Sequence, residues 1–315
     1  MQITHIFVIN AEILYTMNEK NLIYVAGPTA VGKTKLSIAL AKAFKTEIIS
    51  CDSRQFYKEM AIGTAVPTAA EQDGVTNHFL QHKSVKDLYT VGDYEKEALA
   101  LVNTLFKKHD TLILVGGSGM YADALLFGLD DFPPIPAEVR EQLNLFRKTH
   151  GIESLQALLR EKDPDYYRKV DRNNPQRLIR ALEVCIASDK PYSSFLDREK
   201  KPRHFISKML ILHCPRKILY ENINQRVDEM MAAGLEEEVK KNMDLREYSP
   251  MKTIGYKELM DYFDGNISQE RAVELIKRNT RRYAKRQITW FKKYDNAYCF
   301  PANTPVQEVY ELLKQ

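Results

Sequence analysis

Between residues 27 and 34 the chain reads Gly27-Pro28-Thr29-Ala30-Val31-Gly32-Lys33-Thr34, the spacing G-x-x-x-x-G-K-[ST]. The glycines let backbone N–H groups turn toward a pyrophosphate, Lys33 supplies a point charge, and Thr34 offers a hydroxyl to Mg²⁺. The pattern is specific for phosphate binding and says little about what carries the phosphates.

Three further residues have types and positions suited to chemistry at such a cradle. Asp52 follows Ile48-Ile49-Ser50-Cys51, and is the sole acid expected at a strand tip. It is a candidate Mg²⁺ ligand or general base, because ligands gather at the carboxyl ends of strands in doubly wound sheets. Ser118, after Gly116-Gly117 at another strand tip, belongs in the same crevice, where it also has the position of a helix N-cap. Leu219, Ile223, Arg226 and Met230 follow i, i+4, i+7, i+11, which puts Arg226 within the apolar stripe of a helix. A cation aimed inward needs an anion, unless its stem snorkels along the margin.

The elements that position these residues follow from local patterning. Leu22–Ala26 is a short apolar run, Lys33–Phe44 is helical, and Glu47–Ser50 and Thr111–Val115 read as further strands. A helix over Tyr94–Lys108 precedes the last of these. Strands alternating with helices predict a parallel sheet covered on both faces. Pro133, Pro134 and Pro136 break the pattern, and Glu138–Cys185 then reads as helices without strands. Pro191–Arg203 has the polar, basic character of a linker, strand character returns at Met209–His213, and Leu219–Phe291 is largely helical. The expected organisation is an N-terminal extension to residue 20, an α/β core over 21–132, a helical insertion over 133–203 and core completion over 204–315. Met17 stands just before the first structured segment, so residues 1–16 read as an upstream extension. Their apolar run lacks a basic flank and is interrupted by Glu12, which argues against a signal peptide.

Composition bounds the classes. At 315 residues and 44% hydrophobic content the chain can bury a core without disulfides or metal, and no run approaches the ~18 apolar residues of a membrane span. Cys51, Cys185, Cys214 and Cys299 are scattered, with no zinc-site spacing, and unpaired thiols suit a reducing cytoplasm. The net charge of +4 hides an uneven distribution: from Arg271 to Lys293 there are nine basic residues and one acid, Glu274. Such a concentration calls for a polyanionic partner. On a helix through this segment Val273, Ile276, Thr280, Tyr283, Gln287 and Trp290 make one mostly apolar face, with Tyr283 and Trp290 expected in the core. Arg278, Arg282, Lys285 and Lys292 lie on another face, suited to a phosphate backbone.

Taken together, the motifs resemble one family, the tRNA dimethylallyltransferases (tRNA isopentenyltransferases) of bacterial type, over about Leu22 to Lys293. Beside the phosphate loop, the resemblance rests on Asp52–Tyr57 with Met60–Ala65, on Gly116–Tyr121, on Asn174–Val184, on Thr253–Tyr256 and on Arg282–Trp290. It implies a P-loop NTPase-like α/β core, a parallel sheet flanked by helices, with an all-helical insertion domain. It also implies transfer of a dimethylallyl group from dimethylallyl diphosphate to N6 of the adenosine 3′-adjacent to a tRNA anticodon.

On that resemblance Gly27, Thr29, Ala30, Val31, Gly32, Lys33 and Thr34 would hold the donor diphosphate, with Mg²⁺ at Thr34. Lys33 and Arg226 would stabilise the departing pyrophosphate, Asp52 would take the proton of the amine, and Ser118 would orient that amine. The tRNA anticodon stem-loop would meet Asp52, Ser53, Arg54, Gln55 and Ser118. Further contacts would come from Arg140, Asn174, Pro175, Gln176, Arg177 and Leu178, from Lys252, Thr253, Ile254, Gly255, Tyr256 and Lys257, and from Arg281, Arg282, Lys285, Arg286, Gln287 and Ile288. The insertion would clasp the anticodon stem, although its 15 basic and 11 acidic residues favour RNA only mildly. The family usually has Thr where this chain has Ser118, which keeps the hydroxyl. The scattered cysteines also provide no zinc-finger extension of the eukaryotic kind. A cytoplasmic monomer is expected, with no membrane association. The rival readings are an isopentenyltransferase on free adenine nucleotides, a P-loop small-molecule kinase and a non-catalytic RNA-binding protein. The basic tail and insertion speak against the first, the other motif blocks against the second, and Asp52 with an inward Arg226 against the third.

Overall fold

The computed structural model describes residues 19–196 and 201–314. The expected N-terminal extension up to Met17 and part of the expected 191–203 linker lie outside the described residues. Contacts divide the described residues into a unit made of residues 19–127 and 202–314 and a second unit within Gly128–Lys201.

In the first unit the strands are β1 (Asn21–Ala26), β2 (Ile48–Ser50), β3 (Asn77–His78), β4 (Thr111–Val115), β5 (Ile206–His213) and β6 (Tyr298–Pro301). They form one sheet in the order β3-β2-β4-β1-β5-β6, with every pairing parallel. Its helices before the second unit are α1 (Lys33–Phe44), α2 (Ala69–Gln72), α3 (Val91–Leu105) and α4 (Gly119–Phe127). The second unit holds α5 (Ala137–His150), α6 (Ile152–Lys162), α7 (Pro164–Lys169) and α8 (Pro175–Ser188). The first unit resumes with α9 (Arg216–Ala232), α10 (Leu235–Lys241), α11 (Tyr256–Phe263), α12 (Gln269–Phe291) and α13 (Val306–Leu313).

Side chains alternate across the sheet, so each strand feeds two cores. Leu22, Tyr24, Leu112 and Leu114 pack on one side with α3, α4 and α12, whereas Ile23, Val25, Ile113, Leu210 and Leu212 pack on the other with α1 and α9. Because β2, β4 and β1 are consecutive in the sheet, the turns after Ser50, Val115 and Ala26 emerge side by side, bringing together three loops distant in sequence. The second unit has its own core of Leu143, Leu155, Leu159, Leu178, Ile179 and Leu182. Asp163, only 1% exposed, caps α7 through the Tyr166 N–H and also accepts from the Ser193 N–H, at 2.9 and 2.7 Å.

Helix α1 and strand β4 run where the patterning places them, while α3 starts three residues earlier than Tyr94. There Thr90 and Asp93 form a reciprocal capping box. Strand β5 starts at Ile206, extending the Met209–His213 run through polar Ser207 and Lys208. Strands β3 and β6 carry no run long enough to be read. The buried stripe of α12 differs from the expected one: Ala272, Ile276, Ala284, Gln287 and Phe291 are buried, and Trp290 is 38% exposed. Ranking side chains by size favours the bulky aromatics, but a helix approaches a sheet closely through its alanines.

Candidate active site

The phosphate loop leaves β1 at Ala26 and enters α1 at Lys33. Ala30 stands at φ 62°, a left-handed value for a residue with a Cβ, and such strain concentrates at functional loops. Lys33 turns its ammonium back over the loop and donates to the Pro28 carbonyl at 2.8 Å. Burial pushes that ammonium down to about 8, against the raising influence of Asp52 and with a further lowering by Arg226. A lysine in this state binds an incoming anion without taking up a proton only below that value. We therefore expect an unreactive alkyl diphosphate to lose affinity above about pH 8, by up to about tenfold per pH unit. Titration calorimetry across that range checks this; Lys33→Arg should flatten the profile.

Lys33, Thr34, Asp52 and Arg226 line one cleft of about 910 Å³. A second, of about 320 Å³, shares Thr29, Ala30, Asp52 and Arg226 with the first, and continues past Ser53 and Arg54 to Tyr283. Its inner wall is apolar, with Ile223, Val227, Leu235 and Ile276. Of the acids on the larger cleft, Glu71 is engaged by the Thr68 N–H, Asp73 by Lys42 and Glu229 by Gln225. Asp52 also reaches the second cleft. Its Oδ1 accepts the Arg54 N–H at 3.1 Å, and Oδ2 has no hydrogen-bond partner among the described residues.

Arg226 lies one turn from the buried Ile223 and beside Val227 on α9, within the inward stripe. Burial weighs against its charge, and the carboxylates of Glu229, Glu71 and Asp52 favour it. No hydrogen bond or ion pair holds its guanidinium among the described residues, so two cations converge on the cleft without a neutralising contact partner.

Ser118 opens α4 with its carbonyl, which accepts from Tyr121 and Ala122. Its hydroxyl turns instead to Ser53, accepting the N–H at 3.1 Å and lying 3.0 Å from the Ser53 hydroxyl. Tyr283, expected in the core, sits on the wall of the second cleft; burial pushes its phenol up to about 12.

Several residues read as RNA contacts are placed otherwise. Gln287 is 5% exposed and clamps two loops, its Oε1 accepting the Thr29 N–H and its Nε2 donating to the Gly117 carbonyl, both at 2.9 Å. A Cβ on Gly117 would lie 2.1 Å from that amide, so the clamp requires glycine there. Tyr256 and Leu178 have no exposed surface, and Gly255 is buried with its N–H on Glu258. In this structure the side chains of Gln287, Tyr256 and Leu178 and the Gly255 N–H are engaged within the protein, and Gly255 also lines the second cleft. Asn174 and Pro175 begin α8 as N-cap and first residue, leaving Gln176 and Arg177 exposed. Arg140 is held by the buried carboxylate of Glu183, and Arg281 donates to Asn224 at 2.6 Å. Arg282, Lys285, Arg286, Lys252 and Lys257 are exposed. Gln55 donates to the carbonyls of Thr64 and Ala65, at 3.2 and 2.8 Å, and faces the larger cleft. The clamp by Gln287 and the cleft position of Tyr283 had no sequence signal beyond their place on a helix.

The parallel sheet, its central strand feeding a G-x-x-x-x-G-K-[ST] loop, and the carboxylate and cations gathered at the strand tips define a protein of the P-loop NTPase-like class. Among the described residues lining the larger cleft, none but Asp52 is an acid at a strand tip, whereas hydrolases add a second to hold a metal and its water. The profile of the family described as IPP transferase matches residues 55–294. The chain belongs to that family, together with the tRNA dimethylallyltransferases. It is 50% identical to the tRNA dimethylallyltransferase of Flavobacterium johnsoniae over 92% of this chain and 96% of that one. With the enzyme of the same name from Christiangramia forsetii it shares 51% identity, over 86% and 90% of the two chains. Among solved structures it is similar to the tRNA isopentenylpyrophosphate transferase of Bacillus halodurans, with a TM-score of 0.69 and 36% identity over 94% and 96%. A eukaryotic dimethylallyltransferase acting on tRNA gives a TM-score of 0.78 at 27% identity, covering 90% of this chain and 74% of that one. Among the described residues no helix is long and apolar enough to cross a membrane.

Proposed function

We propose that this chain transfers the dimethylallyl group of dimethylallyl diphosphate to N6 of the adenosine 3′-adjacent to the anticodon of tRNA. The observation that carries the reading is the pair of joined clefts, one cationic and one with an apolar wall, that share Asp52 and Arg226. The phosphate loop and Lys33 hold the diphosphate in the larger cleft. Scission of the allylic C–O bond leaves both electrons on the departing pyrophosphate, whose growing charge Lys33 and Arg226 stabilise. The electron-poor carbon then forms its bond to N6, and Asp52 Oδ2 accepts the proton that N6 releases. Ser118 orients the amine, itself held by Ser53. The acceptor base must leave its stack to reach this depth.

Magnesium fits the donor set: the Thr34 hydroxyl beside Lys33 is a hard ligand on the cleft, and the remaining ligands would be phosphate oxygens and water. When bound, the ion would supply further positive charge to the pyrophosphate oxygens. Both clefts are built from one chain, which suits a monomer working in the cytoplasm on tRNA.

The exposed face of α12 would follow the RNA backbone, with Arg282, Lys285 and Arg286. Arg282→Ala should weaken tRNA binding and flatten its salt dependence by roughly 0.7–0.9 in log–log slope, the signature of one lost phosphate contact. Filter binding between low and physiological salt measures this. An unchanged slope would show that RNA does not lie along this face.

A further inference from the structure

The Met60–Ala65 segment walls both clefts and contains an unfavourable backbone conformation, Ala65 at φ 52°. A non-glycine residue there is held only when its surroundings over-determine it. On one side Gln55 grips the Thr64 and Ala65 carbonyls. On the other stands Glu238, in the acidic first turn of α10, where a run of three glutamates reads as a solvated helix start. Its carboxylate accepts three consecutive backbone N–H groups: Ala61 and Ile62 at Oε2, at 2.9 and 2.8 Å, and Gly63 at Oε1, at 3.0 Å. A fourth donor, the Tyr256 hydroxyl, reaches Oε1 at 2.5 Å. Successive N–H groups turned to one point form an anion-binding concavity, and here the chain fills it with its own carboxylate. The ring of Tyr256 closes on Gly63, where an added Cβ would lie 2.5 Å from it. Next to Tyr256, Thr253–Gly255 line the second cleft.

We propose that Glu238 is a positioning residue for the transfer reaction. By gathering the N–H groups of Ala61–Gly63 it fixes the wall that Thr64 and Ala65 present to the donor, and through Gln55 it keeps that wall in register with the Asp52 turn. The proposal rests on the reading of the shared clefts as the transfer site. Displacing a positioning wall by about 1 Å costs catalysis up to about a hundredfold. Glu238 makes none of its hydrogen bonds to the basic face of α12, so tRNA affinity is expected to be retained.

The test compares Glu238→Ala, Glu238→Gln and Tyr256→Phe in steady-state transfer, with tRNA affinity and thermal melting measured in parallel. Alanine removes all four acceptor contacts, and kcat should fall about tenfold to a hundredfold with tRNA affinity retained. Glutamine keeps one oxygen for Ala61 and Ile62 but turns an NH₂ toward the Gly63 N–H, so its loss should be intermediate. Loss of the Tyr256 hydroxyl should be the mildest. That rank order in kcat, at temperatures well below each melting transition, supports positioning. If the melting points fall while kcat and the donor KM of Glu238→Gln and Tyr256→Phe stay within about twofold of wild type, the role is structural and the proposal fails. Should alanine fail to fold, the glutamine and phenylalanine variants carry the same comparison. Asp52→Asn run alongside separates the two levels: full activity in that variant overturns the site itself, whereas its inactivity with normal Glu238 variants overturns only the positioning.

Discussion

Asp52→Asn is expected to lower the rate of transfer by about a thousandfold, within the range of 10²–10⁴ typical of a lost general base. The substitution is a clean one. Asparagine keeps an oxygen to accept the Arg54 N–H that Oδ1 now takes at 3.1 Å, so the turn after β2 should persist. What it removes is the proton acceptor at Oδ2. The exocyclic amine of adenine is a weak nucleophile, and its bond to carbon becomes stable only as the N–H proton departs. Single-turnover transfer measures the loss, and gel-shift titration should show tRNA affinity within a few-fold of wild type. Equal losses in both would mean that Asp52 holds RNA and does not take the proton.

The second large effect is expected at Arg226. Replacing it by glutamine keeps much of the stem on the α9 stripe while removing the charge. Pyrophosphate gains charge as the C–O bond breaks, so a cation placed there acts more strongly on the transition state than on the bound donor. We expect kcat to fall about 10²–10³-fold, the scale for one preorganised electrostatic group. The donor KM should change much less. A purely elevated KM with unchanged kcat would show that Arg226 merely binds the diphosphate.

The residues proposed for the chemistry are legible in the sequence because they sit at places that local rules define. Lys33 and Thr34 open a helix after a strand, Asp52 and Gly116 follow strands, and Arg226 interrupts an apolar period. What stayed hidden depends on tertiary contact. Gln287 looks like any polar residue on a basic helix until α12 is laid against the Thr29 and Gly117 turns. Glu238 is one of three adjacent glutamates, and only the fold shows which meets Ala61–Gly63. Likewise Trp290 and Phe291 are neighbours of similar character, and close packing through Ala272 and Ala284 decides that Phe291 goes inside. Strands β3 and β6 take their conformation from pairing with β2 and β5 at the sheet edges, since two to four residues carry too little intrinsic preference to announce themselves.

The acceptor is the central claim, and labelled dimethylallyl diphosphate tests it most directly when offered with Mg²⁺ to unmodified tRNA and to AMP. The account predicts label on the adenosine 3′-adjacent to the anticodon and none on AMP. Label on AMP with none on tRNA would contradict it, and would leave the basic face of α12 without a partner.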